Sequence, residues 1–112
     1  MKSFDLESLA SAFGGEYVLG MKDLHSNACY LIYGRLEKGE GERLIRPGPG
    51  HEEILCAIDG PLTVHTGYGE TILQRGSAIH IRQEEAFSIS NPSNTSVVYI
   101  LAGGNGWAPS DS

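Results

Sequence analysis

Long apolar runs, clustered basic residues and closely spaced cysteines are all missing from this chain of 112 residues. No stretch has the length of a membrane-spanning helix, and Asp5 and Glu7 interrupt the apolar residues that a secretory signal would need after Lys2. The formal net charge is −6, and no group of Lys and Arg residues would attract a nucleic-acid backbone or an anionic membrane. We therefore expect a cytoplasmic protein that binds neither nucleic acid nor membrane.

Cysteine is represented by Cys29 and Cys56 alone, and the two are far apart in sequence. A chain of this length builds its own hydrophobic core, so it does not depend on a disulfide scaffold, and the spacing matches no paired-cysteine zinc motif. We expect two reduced thiols that are partly buried.

Glycine and proline, with 15 and 5 residues, are by contrast abundant. This composition is typical of short strands joined by many tight turns. From Tyr17 onward the apolar residues recur with a period of two, in segments that each have the length of a strand. The segments are YVLGM, ACYLIYGRL, EILCAI, LTVHT, ETILQ, AIHI, AFSIS and VVYILA. The pattern predicts an all-β fold, a small antiparallel jelly-roll barrel.

A short helix is predicted before the strands. Asp5 stands where a helix N-cap is expected, and the residues after it form one apolar stripe, which consists of Leu6, Leu9, Ala10 and Phe13. We place the helix and its lead-in at residues 1–15, the barrel at 16–103 and a flexible tail at 104–112. No linker divides the chain, so all three parts belong to one domain.

Five residues in the middle of the chain have the spacing of two known sequence motifs. Gly41, Glu53 and Gly60 match the first motif, and Gly76 and Asn91 match the second. Through these residues the chain resembles the cupin superfamily, whose small barrels carry the two motifs on either side of a hairpin. The resemblance covers about half of the chain and implies a barrel of cupin type.

The residues with which cupins usually hold a metal ion are mostly replaced. Pro47 and Pro49 stand at the two histidine positions of the first motif, and Phe87 stands at the histidine position of the second. Of the four usual ligands only Glu53 remains, and a single carboxylate does not hold a transition metal tightly. We therefore expect no metal cofactor.

Glu53 is expected to face the barrel interior together with Leu55, because residues two apart on a strand share a face and the resemblance turns this face inward. A carboxylate in such an interior needs a partner, and Arg82 or Arg46 is the candidate. The predicted ligand-binding residues are Glu53, Leu55, Arg82, Phe87, Ile89, Tyr30 and Tyr99.

These observations favour a cupin-like barrel that binds a small organic molecule without a metal centre. The expected assembly is a homodimer in which Ile54, Cys56 and Ile58 are buried, since small barrels of this family often pair through a sheet. The sequence does not identify the ligand.

The alternative is an enzyme, either an isomerase, a lyase or a dioxygenase, that acts on a small carbohydrate or an oxo acid. In it His51 and Glu53 act as acid and base, or hold one divalent metal ion for which His65 or His80 supplies a third ligand. A third interpretation is a module with a filled core and an acidic surface that binds a partner. The residues alone leave the three open.

Overall fold

The computed structural model describes residues 1–82 and 85–105, and in these residues two antiparallel β-sheets enclose one core. The strands are β1 (Glu16–Leu19), β2 (Cys29–Leu36), β3 (Arg43–Ile45), β4 (His51–Ala57), β5 (Leu62–Thr66), β6 (Gly69–Leu73), β7 (Ala78–Ile81), β8 (Phe87–Ser90) and β9 (Val97–Asn105). One sheet has the order β1-β2-β9-β4-β7, and the other has the order β3-β8-β5-β6. The predicted all-β antiparallel fold is confirmed.

The two helices of the described residues are short. In α1 (Leu6–Ala12) the carboxylate of Asp5 accepts the N–H of Ser8 at 3.1 Å, so the predicted helix and its N-cap are confirmed. The second helix, α2 (Met21–Leu24), is a single turn that the sequence analysis did not foresee. Within the described ranges no helix is long and apolar enough to cross a membrane, and the cytoplasmic location stays a prediction.

All eight predicted strands are present, and β3 is an addition to them. It has three residues and lies in a segment rich in Gly and Pro, where no period is visible. The last strand, β9, continues through Gly104 and Asn105, which the prediction placed in the tail. Residues 106–112, the rest of the predicted tail, lie outside the described residues.

Alternation along β4 turns one set of side chains toward the core. Glu53, Leu55 and Ala57 are buried, whereas Ile54 between the first two is exposed, so the predicted alternation is confirmed. Both sheets supply the core, which consists of Leu36, Ile45, Leu55, Ala57, Leu62, Val64, Leu73, Ile81, Phe87, Ile89, Val97, Tyr99 and Leu101.

A tyrosine that lies across a glycine ties the edge strand β1 to its sheet. Tyr99 of β9 stands opposite Gly34 of β2, and Gly34 stands opposite Glu16 of β1. A Cβ atom at Gly34 would lie 2.1 Å from the Tyr99 ring, so the ring occupies the space of a side chain. The Tyr99 hydroxyl donates to Glu16 and accepts from Nη1 of Arg43 at 2.9 Å. We call these residues the Tyr99-Gly34-Glu16 row.

Asn91 joins the turn after β8 to the end of β2. Its Nδ2 donates to the carbonyl oxygens of Leu36 and Glu37, both at 3.1 Å, and of Thr95 at 2.8 Å. Its Oδ1 accepts the N–H of Ser93 at 2.7 Å. The residue is 6% exposed, and its bond to the carbonyl oxygen of Leu36 is buried.

The outer face of β4 and the residue after it is apolar. Ile54 is 46% exposed, Ile58 is 42% exposed, and Cys56 between them is partly buried. These residues are the ones that the sequence analysis places in a homodimer interface, on the opposite side of the strand from Glu53. The homodimer stays a prediction.

We expect Asn91→Ala to lower the free energy of unfolding by about 1–3 kcal/mol, because the buried carbonyl oxygen of Leu36 loses its partner. Urea unfolding followed by circular dichroism measures this change. Asn94→Ala, at an exposed position in the same turn, is the control and should change the value by less than about 0.5 kcal/mol. Equal losses in the two variants would contradict the role assigned to Asn91.

Light scattering at micromolar concentration is expected to give twice the 12.0 kDa mass of one chain. Ile54→Glu should return the mass to that of one chain, since it buries an unpaired charge in the interface. Ile72→Glu is the matched control, because Ile72 is 48% exposed on the other sheet and should tolerate the charge. A wild-type protein that has only the mass of one chain would reject the dimer.

Candidate functional site

A cavity of about 370 Å³ lies beside the starts of β2 and β4, the two strands that flank β9, and we call it the β2/β4 cavity. Its apolar lining includes Val18, Met21 and Ile32, and its polar lining includes Tyr30, Arg46, His51 and Glu53. The volume falls in the range of cavities that hold small molecules. Two members of the predicted ligand-binding set, Tyr30 and Glu53, therefore lie together with His51.

The turn before β4 directs His51 into this cavity. The N–H of His51 donates to the carbonyl oxygen of Gly48 at 3.0 Å, which closes the turn. Gly50 within the turn has a φ of 78°, a conformation that glycine adopts at little cost. The alternation of β4 then places His51 and Glu53 on the same inner face.

The two carboxylate oxygens of Glu53 have different surroundings. Glu53 is 4% exposed, and its Oε2 accepts a short hydrogen bond from the hydroxyl of Tyr30. Its Oε1 is buried and has no hydrogen-bond partner among the described residues, and the same is true of Nδ1 of His51. The cavity thus contains two buried polar atoms whose hydrogen-bonding capacity is unused.

A glycine allows Tyr30 to reach Glu53. Tyr30 of β2 stands opposite Gly103 of β9, which in turn stands opposite Glu53 of β4. A Cβ atom at Gly103 would lie 2.5 Å from Cζ of Tyr30, so the phenol ring fills the space above the glycine. We call these residues the Tyr30-Gly103-Glu53 row.

The Tyr30 hydroxyl is a neutral donor. Burial raises the pKa of the phenol, and the hydrogen bond to Glu53 and the charge of this carboxylate raise the pKa further. The His51 ring packs edge-on against the Tyr30 ring, with centroids 5.4 Å apart and an interplanar angle of 68°. Tyr30 therefore orients Glu53 through a hydrogen bond and His51 through a ring contact.

The remaining predicted ligand-binding residues that face the interior lie away from the β2/β4 cavity. Leu55 and Ile89 are fully buried in the core between the sheets. Phe87 is buried and borders a second cavity of about 400 Å³, which shares no lining residue with the first. Tyr99 belongs to the Tyr99-Gly34-Glu16 row. The structure therefore divides the predicted set between one cavity, the core and a second cavity.

Tyr30, rather than either arginine, contacts the carboxylate of Glu53. Arg82 is exposed after β7, and its backbone N–H donates to the Glu85 carboxylate at 2.6 Å. Arg46 is also exposed, although it borders the β2/β4 cavity. The ion pairs of the described residues involve other carboxylates, namely Glu7, Glu40, Glu52 and Glu70.

The residues of the cavity do not fit the transition metal that the cupin resemblance implies. Among residues 1–82 and 85–105, no three His, Cys, Asp or Glu side chains are grouped so that they could hold a metal ion. His51 and Glu53 supply two donors, and a structural site needs about four. His65 and His80, the candidates for a third ligand, pair with other carboxylates at 2.9 and 2.7 Å.

One side of the β2/β4 cavity comes from the segment after β1, which the sequence did not predict as part of a site. Ser26, Asn27 and Cys29 border the cavity after α2. His25 ends α2 with a φ of 55°, a left-handed conformation that breaks the strand period. The polar letters HSN between two apolar segments indicate a turn, but nothing local shows that this turn lies beside β4.

No protein-family model and no curated protein matches the chain. Solved structures do. An uncharacterized protein with a double-stranded β-helix domain from Klebsiella pneumoniae superposes with a TM-score of 0.69 and 16% identity, over 95% of this chain and 91% of that one. The protein TT1209 from Thermus thermophilus gives a TM-score of 0.66 and 18% identity, over 94% and 98% of the two chains.

The cupin domain of Cnp3 from Schizosaccharomyces pombe gives a TM-score of 0.60 and 12% identity, over 70% of this chain. The match spans 56% of the Cnp3 domain chain. Identities this low carry information on the fold and none on the ligand. The resemblance read from Gly41, Glu53, Gly60, Gly76 and Asn91 is therefore confirmed for the fold, and the chain folds as a cupin, a double-stranded β-helix.

Proposed function

We propose that the protein binds a small organic molecule in the β2/β4 cavity, through hydrogen bonds to Glu53 and His51 and without a metal ion. The observation that carries this proposal is that Oε1 of Glu53 and Nδ1 of His51 are both buried and unpartnered among the described residues of one cavity. A buried polar atom without a partner costs about 1–3 kcal/mol. A ligand that forms a hydrogen bond to each of the two atoms removes this cost. The bound protein is then favoured over the empty one in which both atoms are unpartnered.

The shape of the cavity supports a ligand of modest size. Its volume of about 370 Å³ is near the lower end of the range for small-molecule sites. Val18 and Ile32 supply apolar contacts beside the polar atoms. Met21 and Cys29, which border the cavity, are exposed, so a ligand enters from solvent without unfolding of a strand.

An acid-base enzyme is the second candidate function, and the hydrogen bond between Tyr30 and Glu53 favours it. A histidine and a carboxylate in one small cavity can move protons to and from a substrate. Tyr30 would act as a positioning residue, because it holds Glu53 in one orientation. The isomerase, lyase or dioxygenase of the sequence analysis uses these same two side chains, so binding is the property common to both candidates.

A fragment titration followed by the amide NMR signals of ¹⁵N-labelled protein tests the binding proposal. We expect small polar fragments to shift the signals of Tyr30, His51 and Glu53. Glu53→Gln should weaken binding by about tenfold or more, since a charge-assisted hydrogen bond is roughly twice as strong as a neutral one. Glu52→Gln is the matched control, because Glu52 is the neighbouring carboxylate on the opposite face of β4.

Elemental analysis of protein purified without chelator is expected to find less than about a tenth of an equivalent of metal per chain, because two donors bind a divalent ion weakly. Near one equivalent, lost in His51→Ala, would instead support the metal-dependent alternative. A screen in which no fragment shifts the cavity signals would contradict the binding proposal.

Gly103→Ala is expected to weaken ligand binding by about tenfold or more, although Gly103 itself is not a ligand-binding residue. The new Cβ atom would lie 2.5 Å from Tyr30 and 2.9 Å from the carbonyl oxygen of Glu52, so the phenol must leave Glu53. The same titration measures the affinity, and thermal unfolding measures the accompanying loss of stability of about 1–3 kcal/mol.

Gly34→Ala is the matched control for Gly103→Ala, because it disturbs the Tyr99-Gly34-Glu16 row in the same way. It should destabilise the fold to a similar extent while the folded protein keeps its affinity. If both variants bind as tightly as the wild type, the role assigned to the Tyr30-Gly103-Glu53 row is wrong.

A further inference from the structure

We infer, building on the proposed function, that the ligand of the β2/β4 cavity is a small primary amine, bound as its ammonium ion between Glu53 and His51. The ligand class follows from the charge of Glu53, from the two unpartnered atoms and from the apolar wall beside them.

Glu53 is a buried carboxylate that lacks a cationic partner among the described residues. Oε2 accepts from the phenol of Tyr30, which is a neutral group, and the ion pairs of the described residues all involve other carboxylates. A hydrogen bond from a neutral donor leaves the negative charge in place. Because an isolated buried charge costs several kcal/mol, a cation at Oε1 gains more than a neutral donor would.

The Tyr99-Gly34-Glu16 row, whose Glu16 is partly buried, has a cation beside its phenol. There the Tyr99 hydroxyl donates to Glu16 and accepts from Arg43 at 2.9 Å, so a guanidinium completes the row. Arg43 also lies 5.8 Å from the centroid of the Tyr99 ring. The Tyr30-Gly103-Glu53 row has the same order of paired residues, no guanidinium contacts its phenol among the described residues, and Glu53 borders the β2/β4 cavity.

An ammonium group matches both unpartnered atoms at once. Oε1 of Glu53 is an acceptor, and Nδ1 of His51 is an acceptor when the imidazole carries its proton on Nε2. An ammonium ion has three donors and no acceptor, so one nitrogen bonds to both atoms. With the imidazole proton on Nε2, a hydroxyl has a single proton to donate and satisfies one of the two acceptors. A carboxylate would bring a like charge to Glu53.

The rest of the ligand meets hydrocarbon. Val18 and Ile32 are paired across β1 and β2, and they border the cavity together with Met21. Burial of each methylene group against such a wall contributes about 0.8 kcal/mol. A short alkyl chain on the ammonium group therefore suits the cavity better than a second polar group does.

Three probes of equal length and different charge test this assignment, namely n-butylamine, 1-butanol and butyrate, each titrated at neutral pH into the labelled full chain. We expect n-butylamine to shift the Tyr30, His51 and Glu53 signals with an affinity at least about tenfold above that of 1-butanol, and butyrate to leave these signals in place. Glu53→Gln should abolish the preference for the amine, whereas Glu52→Gln should retain it.

His51→Ala is a second variant, which tests the amine site even if Glu53→Gln does not fold. It removes one of the two acceptors, so we expect a loss of amine affinity of about threefold to tenfold while the preference over butyrate remains. An unchanged affinity in His51→Ala would overturn the two-acceptor arrangement.

Failure of this inference and failure of the proposed function give different results. If 1-butanol or butyrate shifts the cavity signals as strongly as n-butylamine does, the cavity binds organic molecules but the amine assignment is wrong. If none of the probes and no fragment of the wider screen shifts these signals, the proposed function is wrong as well.

Discussion

The end of the barrel at the starts of β2 and β4 depends on one buried carboxylate, that of Glu53. One of its two oxygens has a hydrogen-bond donor and the other has none among the described residues. Burial of Glu53 is unfavourable unless each oxygen finds a donor, and Tyr30 supplies a donor to one of them. Tyr30 can do so because Gly103 has no side chain in its path. The position of His51 follows from the same arrangement, since its ring packs against that of Tyr30. These contacts form the polar side of the β2/β4 cavity.

The two tyrosine-glycine-carboxylate rows show one geometric solution used for two purposes. Both rows cross three adjacent strands, and in both a phenol ring lies over the glycine of the central strand. In the row with Tyr99, the guanidinium of Arg43 donates to the phenol and also pairs with Glu40 at 2.7 Å. In the row with Tyr30, Oε1 of Glu53 has no hydrogen-bond partner among the described residues, and Glu53 borders the β2/β4 cavity. The two rows therefore differ in one contact: a guanidinium group donates to the phenol of Tyr99, and none donates to that of Tyr30 among the described residues.

The period of two along the chain predicted the strands and placed Glu53 on the same face as Leu55, because alternation is a local property of the backbone. The cupin resemblance then implied that this face is the inner one. The contact between Tyr30 and Glu53 depends on how β2, β9 and β4 are aligned. That alignment joins residues that are far apart in sequence, and no local pattern encodes it. An arginine was expected at Glu53 because charge pairing is the common solution. A glycine that admits a phenol ring is the solution present here.

Pairing of β2 with β9 brings Cys29, which borders the cavity, opposite Gly104, a residue far from it in sequence. Contacts of such long range form late, because the entropy of closing the intervening loop must be overcome first. We therefore expect the cavity to be absent from partly folded chains. A ligand then acts on the folded population alone, and it slows unfolding while the rate of folding stays the same.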